Sequence, residues 1–286
     1  MLRRAEFRYD EKEMYRPPPL WLLAFVLMLS LAGGAWFVFA PGTDVAEDSL
    51  PTPPEPPRLV DSAEYETCLA RLAEDADAAL AEAERWQAQG GGEGAAHCAA
   101  LALIGLGETE RAAVSLEQIA ARSAASPAAR AAVFAQATQA WLLSENPARA
   151  QAAATRGLAL TPEDTWLLMD RAVAQAAQGR HALAIADLER ATTIDPARIE
   201  AWVLRAATRR QLDQIALAAT DIERAFAIEA ENAEAFLERG IIRQLQGHAE
   251  GARADWSRAL ELAPDSPTAD LAAQNLALNE AGPQTR

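Results

Sequence analysis

The side chains of this 286-residue chain best suited to chemistry are two cysteines, Cys68 and Cys98, and three histidines, His97, His181 and His248. Their spacing supports little catalysis. His181 and His248 come just after glycines that break helical runs, and read as exposed turn residues. No HExxH, no phosphate-binding loop, no GxGxxG behind a strand and no Ser/His/Asp ordering occurs. Gly90-Gly91-Gly92 is glycine-rich, but it follows a helical stretch and precedes no Lys-Ser/Thr pair. Carboxylates are abundant. Asp187/Arg190, Asp221/Arg224 and Asp255/Arg258 are spaced as surface ion pairs on helices. These residues imply no enzyme, no cofactor and no metal centre.

The elements that would position such residues repeat every 34 positions. Four units run 131–164, 165–198, 199–232 and 233–266. Pro162, Pro196 and Pro264 share one slot, where Ala230 stands in the third unit. Ala150, Ala184, Ala218 and Ala252 share another, and Gly157, Ala191, Ala225 and Ala259 a third. Helical periodicity, a break in mid-unit at Gly179, Asp213 or Gly247, and a terminal Asx/Pro turn make each unit two helices. A fixed period of this length belongs to a solenoid, whose units bury their apolar faces only against neighbours. Upstream, 60–90 reads as a degenerate opening unit with its break near Glu74–Ala76. A second unit, 93–126, carries Gly107, Ala112 and Leu116 at repeat-like offsets. Pro127–Arg130 intervene as an insertion expected to disturb the stacking. Residues 268–280 suit a single helix covering the last unit.

On these residues the chain resembles the tetratricopeptide repeat (TPR) family. The resemblance implies an all-α, right-handed α-α superhelix, with degenerate repeats over 59–130, regular ones over 131–266, and a capping helix and tail over 267–286. It also implies that the first helix of each pair lines a concave groove for a protein or peptide. That pattern selects Trp166, Met169, Asp170 and Val173, then Glu200, Val203, Leu204, Ala207 and Arg210, then Glu234, Leu237, Glu238 and Ile241. Leu168, Trp202, Phe236, Leu188, Ile222 and Trp256 are expected to be core. Some TPR modules clamp a terminal carboxylate with cations; this groove offers only Arg210, so that mode is not expected.

Residues 20–40 are uncharged and largely apolar, which at about 1.5 Å per residue spans a hydrocarbon layer of roughly 30 Å. The stretch 1–19 before it carries Arg3, Arg4, Arg8, Lys12 and Arg16, and Asp44, Glu47 and Asp48 follow it. The charge bias predicts a single-pass signal anchor with 1–19 in the cytoplasm and the repeats exported. A cleaved signal peptide has a shorter apolar run, and Pro41 suits a cleavage site poorly. Residues 41–58 hold six prolines and read as an extended spacer. The style of the chain points to a bacterial inner membrane and a periplasmic domain. The net charge is −15. Since Glu6, Asp10, Glu11 and Glu13 nearly balance the basic tail, the acidic excess lies beyond residue 40, which argues against nucleic acid.

In an exported domain, two cysteines can be bridged, free, or joined with His97 at a metal; the last lacks the usual paired ligand spacing. A helix break near Asp75 would set the first and third helices side by side with Cys68 and Cys98 level. A disulfide there would stabilise by roughly 3–4 kcal/mol. The functional expectation is an anchored scaffold with a protein or peptide partner. The alternatives are an assembly factor or chaperone for an envelope complex, as in cytochrome c maturation, and a self-associating structural protein.

Overall fold

The computed structural model describes residues 58–281, and there it is all α, with thirteen helices and no strand. The expected anchor at 20–40 and the proline-rich stretch to 57 lie outside the described residues. No helix among the described residues is long and apolar enough to cross a membrane. The helices are α1 (Ala63–Glu74), α2 (Ala76–Ala88), α3 (Gly92–Gly105), α4 (Thr109–Arg122), α5 (Pro127–Leu143), α6 (Pro147–Leu158) and α7 (Thr165–Ala177). They continue as α8 (His181–Ile194), α9 (Ile199–Gln211), α10 (Ile215–Ile228), α11 (Ala233–Leu245), α12 (Ala249–Leu262) and α13 (Pro267–Ala281).

The period is written into the backbone at both turns of a unit. In mid-unit, Glu145, Gly179, Asp213 and Gly247, each 34 residues from the next, take positive φ of 55°, 71°, 57° and 81°. Glycine adopts that conformation freely, whereas Glu145 and Asp213 hold it against the cost of a Cβ. Between units, Asp164 and Asn232 occupy the same slot and cap α7 and α11 by accepting from the amides of Leu167 and Ala235. Arg198 fills that slot before α9 and makes no cap.

Packing follows small-against-large pairs. Ala172 and Leu188 share one buried cluster, and Ala206 and Ile222 another. At the equivalent pair the largest side chain meets the smallest: a Cβ on Gly240 would stand 2.3 Å from Nε1 of Trp256. Trp256 is fully buried, but Trp202 and Phe236, expected in the core, are half-buried. The Trp202 indole instead donates to the Pro196 carbonyl, and Arg205 stacks on its ring.

The carboxylates read as surface pairs are buried. Asp187, Asp221 and Asp255 are only 5, 1 and 3% exposed. Each receives a bidentate arginine from the first helix of its own unit: Arg171, Arg205 and Arg239, sixteen residues earlier. Helix pairing brings these slots together, so the carboxylates turn inward. Arg190 instead donates to the Pro162 carbonyl, and Arg258 pairs with Glu231 and Glu261.

Pro127–Arg130 are not a loose insertion. They add a turn to α5, which has 17 residues where α7, α9 and α11 have 13. Ser126 caps the extra turn and Arg130 donates to the Ala120 carbonyl. At the amino-terminal end the chain breaks at Asp75, which caps α2. α1 and α3 then pack together, and Cys68 and Cys98 form a disulfide with their Cα atoms 6.3 Å apart.

Candidate partner-binding groove

The first helices of successive units touch: α5 with α7, α7 with α9, α9 with α11 and α11 with α13. The second helices share no comparable interface among the described residues. A stack whose members meet along one edge and splay along the other curls toward the meeting edge. The first helices therefore line the inner face.

On that face, residues four apart lie one turn from each other. One row is Trp166, Glu200 and Glu234, related by 34 residues; one turn on, the next is Asp170, Leu204 and Glu238. Trp166 stands 39% exposed, with the Arg198 guanidinium 4.2 Å over its ring. Val173, Glu200, Val203, Leu204, Arg210, Glu234, Leu237 and Ile241 are half-buried. Met169 and Glu238 are buried, which corrects their expected place on an open surface. Neighbouring first helices close over the middle of each helix, so Met169 joins the core.

The electrostatics of this face differ from unit to unit. Arg210 donates to both oxygens of Glu238, at 2.6 and 3.2 Å across the α9–α11 contact. Burial nevertheless lifts the Glu238 pKa above the usual carboxylate range, with Arg210 opposing. Glu234 is raised by burial and then by Glu200 and Glu229 beside it. The carboxyl of Asp170 is pushed up to about 7, first by burial and then by Asp164, while Gln139 offsets part of the rise. Its Oδ2 is closed to solvent and has no hydrogen-bond partner.

Toward the amino-terminal end a buried chain of side chains links three first helices. Tyr65 Oη lies 2.6 Å from His97 Nδ1, and His97 Nε2 lies 2.6 Å from Gln136 Oε1. Burial lowers the pKa of His97. In the neutral ring, Nδ1 accepts from Tyr65 and Nε2–H donates to Gln136. This chain ties α1 to α3 and α3 to α5, across the junction where α5 is lengthened. Both ring nitrogens are engaged and both cysteines are bridged, so this cluster offers no metal ligand. Among the described residues no three His, Cys, Asp or Glu side chains gather as a metal site. The selection of groove residues missed Gln136 and Gln139, although the unit at 131–164 places them in the Asp170 and Val173 slots. His97 was obscured by the irregular unit around it.

Residues 167–198, which carry Asp170, Arg171 and Asp187, match the family model for the tetratricopeptide repeat. This chain carries a tetratricopeptide repeat. The TPR stack is similar in fold to the APC/C hetero-tetramer Cut9–Hcn1, with a TM-score of 0.55 and 16% identity over 76% of this chain. That match spans 42% of the other chain, so this chain covers less than half of that relative's length. YrrB, described as a TPR protein with an unusual peptide-binding site, aligns at 18% identity and a TM-score of 0.47, covering 63% of this chain and 90% of its own. MamA residues 41 to the end, from Desulfovibrio magneticus RS-1, aligns at 18% identity and 0.49, covering 58% and 93%. No curated protein sequence matches this chain.

Proposed function

We propose that the chain is a membrane-tethered scaffold that captures a protein or peptide segment on the inner face of its TPR stack. Residues 20–40 are its anchor and 41–58 hold the stack away from the bilayer, in the periplasm of a bacterium. The observation that carries the reading is Trp166. It remains 39% exposed, with Arg198 over one face of its ring, on a face whose other apolar side chains are partly or wholly covered. Tryptophans on a pre-formed groove are common binding hot spots. The chemistry of the inner face is that of recognition; its carboxylates stand beside arginines, glutamines and apolar groups rather than beside a nucleophile.

The test is capture by the full chain. Trp166→Ala combined with Leu237→Ala should abolish partner capture while the helical signal in circular dichroism is kept. Leu237 also packs against the cluster around Trp256, so that control is necessary. Unchanged capture by the double variant would remove the groove assignment.

A second reading, self-association, has its own support. Leu183 and Leu217 are 52 and 49% exposed, and Ile194 and Ile228 are each 41% exposed. They repeat at 34 residues along one side of α8 and α10. Light scattering decides it: a monomer mass at every concentration would exclude it.

A further inference from the structure

The charges of the groove name the chemistry of what it holds. This deepens the binding reading above and rests on it. The cations of the inner face near α7, α9 and α11 are already committed. Arg210 is consumed by Glu238. Arg198 lies over Trp166 and pairs with Asp195. Arg171, Arg205 and Arg239 serve the buried aspartates of their own units. Glu200, Glu234 and Asp170 are left without an ion-pair partner among the described residues. Glu200 and Glu234 sit in one row on adjacent helices, near enough to repel each other.

Asp170 supplies an independent sign. Gln139 reaches this carboxyl, but its Oδ2 is shut from water and has no hydrogen-bond partner of its own, an arrangement that costs free energy unless something else satisfies it. By contrast, the Tyr65–His97–Gln136 chain and the three Arg–Asp pairs are internally complete and make no such demand. A helical side chain leans back over the preceding turn, so Asp170 leans toward Trp166, four residues earlier.

We infer that the groove over α7, α9 and α11 selects a basic segment of a partner protein, with a Lys or Arg side chain reaching Asp170 and neighbouring cations meeting Glu200 and Glu234. An ammonium offers three donors and a guanidinium five, and their apolar stems suit the half-buried Val173 and Leu204. The occupant is opposite in sign to a carboxylate-terminated peptide.

Fluorescence anisotropy of the full chain in detergent tests this with three labelled peptides: alternating Lys–Leu, alternating Ser–Leu and alternating Glu–Leu. The Lys–Leu peptide should bind tightest, the Glu–Leu peptide weakest. Asp170→Asn with Glu234→Gln, folded by circular dichroism, should weaken Lys–Leu binding about ten-fold or more. Binding of Ser–Leu equal to that of Lys–Leu, or a double variant that binds Lys–Leu unchanged, overturns the inference. If Ser–Leu binds as well as Lys–Leu and Trp166→Ala abolishes both, the groove remains a peptide site and only its charge preference falls. If none of the three binds, the preference falls as well, and crosslinking from the groove decides the broader reading.

Discussion

Arg205 and Asp221 lie sixteen residues apart in one helix pair and meet through two hydrogen bonds of 3.1 and 2.7 Å inside the stack. The same bidentate pair recurs at Arg171–Asp187 and Arg239–Asp255. The unit at 131–164 has Ala137 and Ala153 in these slots, both fully buried. One fold position is thus filled by an ion pair in three units and by two small apolar residues in the fourth.

The pairs should differ in sensitivity. Arg171 is the one ion-pair partner of Asp187 among the described residues, whereas Asp221 also receives Arg209 at 2.7 Å. Arg171→Met should cost about 3 kcal/mol by stranding a buried carboxylate. Arg205→Met should cost less, because Arg209 remains. Arg171→Met with Asp187→Leu should recover most of the loss, and urea unfolding midpoints will rank all three variants.

The contact between Gly240 and Trp256 predicts a large effect from a small change. An added Cβ would fall 2.3–2.9 Å from indole atoms, forcing α11 away from α12. Gly240→Ala should therefore destabilise by about 1–3 kcal/mol, although alanine is the better helix former. Trp256→Leu in the same chain should reverse much of it, since Ala172 with Leu188 is the arrangement two units earlier. Thermal unfolding of the single and double variants measures this.

Much of this was legible in the sequence. The period located the helix pairs, the turns and the small-residue slots, because each follows from local chemistry repeated at a fixed interval. The partners of Asp187, Asp221 and Asp255 were not legible from one helix. Arg190 lies three residues away on the same helix and looks sufficient, while Arg171 becomes adjacent only once the mid-unit turn fixes the phase between two helices. The shared 34-residue spacing of Arg171, Arg205 and Arg239 was the available signal. The burial of Met169 and Glu238 was hidden for a related reason: it depends on how closely adjacent first helices approach. Glu145 shows the converse, since nothing in its residue type announces a positive φ.

Asp170 gives stability a pH dependence of definite sign. Its folded-state pKa is about 7 against an ordinary value of 3.8, chiefly through burial. Its contribution is present below about pH 4 and is lost as pH rises toward 7, because the unfolded chain ionises first. Asp170→Asn removes that loss. The variant should match the parent at pH 4 and exceed it by on the order of 2–4 kcal/mol at pH 8. Denaturant titrations at the two pH values would oppose this if the difference were flat.

The disulfide should act locally. Cys68 and Cys98 join α1 to α3 and enclose a sequence separation of 30 residues. Its loss through Cys68→Ser with Cys98→Ser should cost roughly 3–4 kcal/mol. In a stack of nearest-neighbour units the loss belongs to the opening unit. Hydrogen exchange should speed up in α1 and α2 and stay unchanged in α9–α12.

The central claim is that the inner face is where a partner docks. Photo-crosslinkers placed at Leu237, on the inner face of α11, and at Leu217, exposed on α10, compare the two sides of the stack in the full chain within its native cells. Mass spectrometry of the adducts should find a protein partner joined through position 237 and none through position 217. Adducts through position 217 with none through 237 would contradict the account.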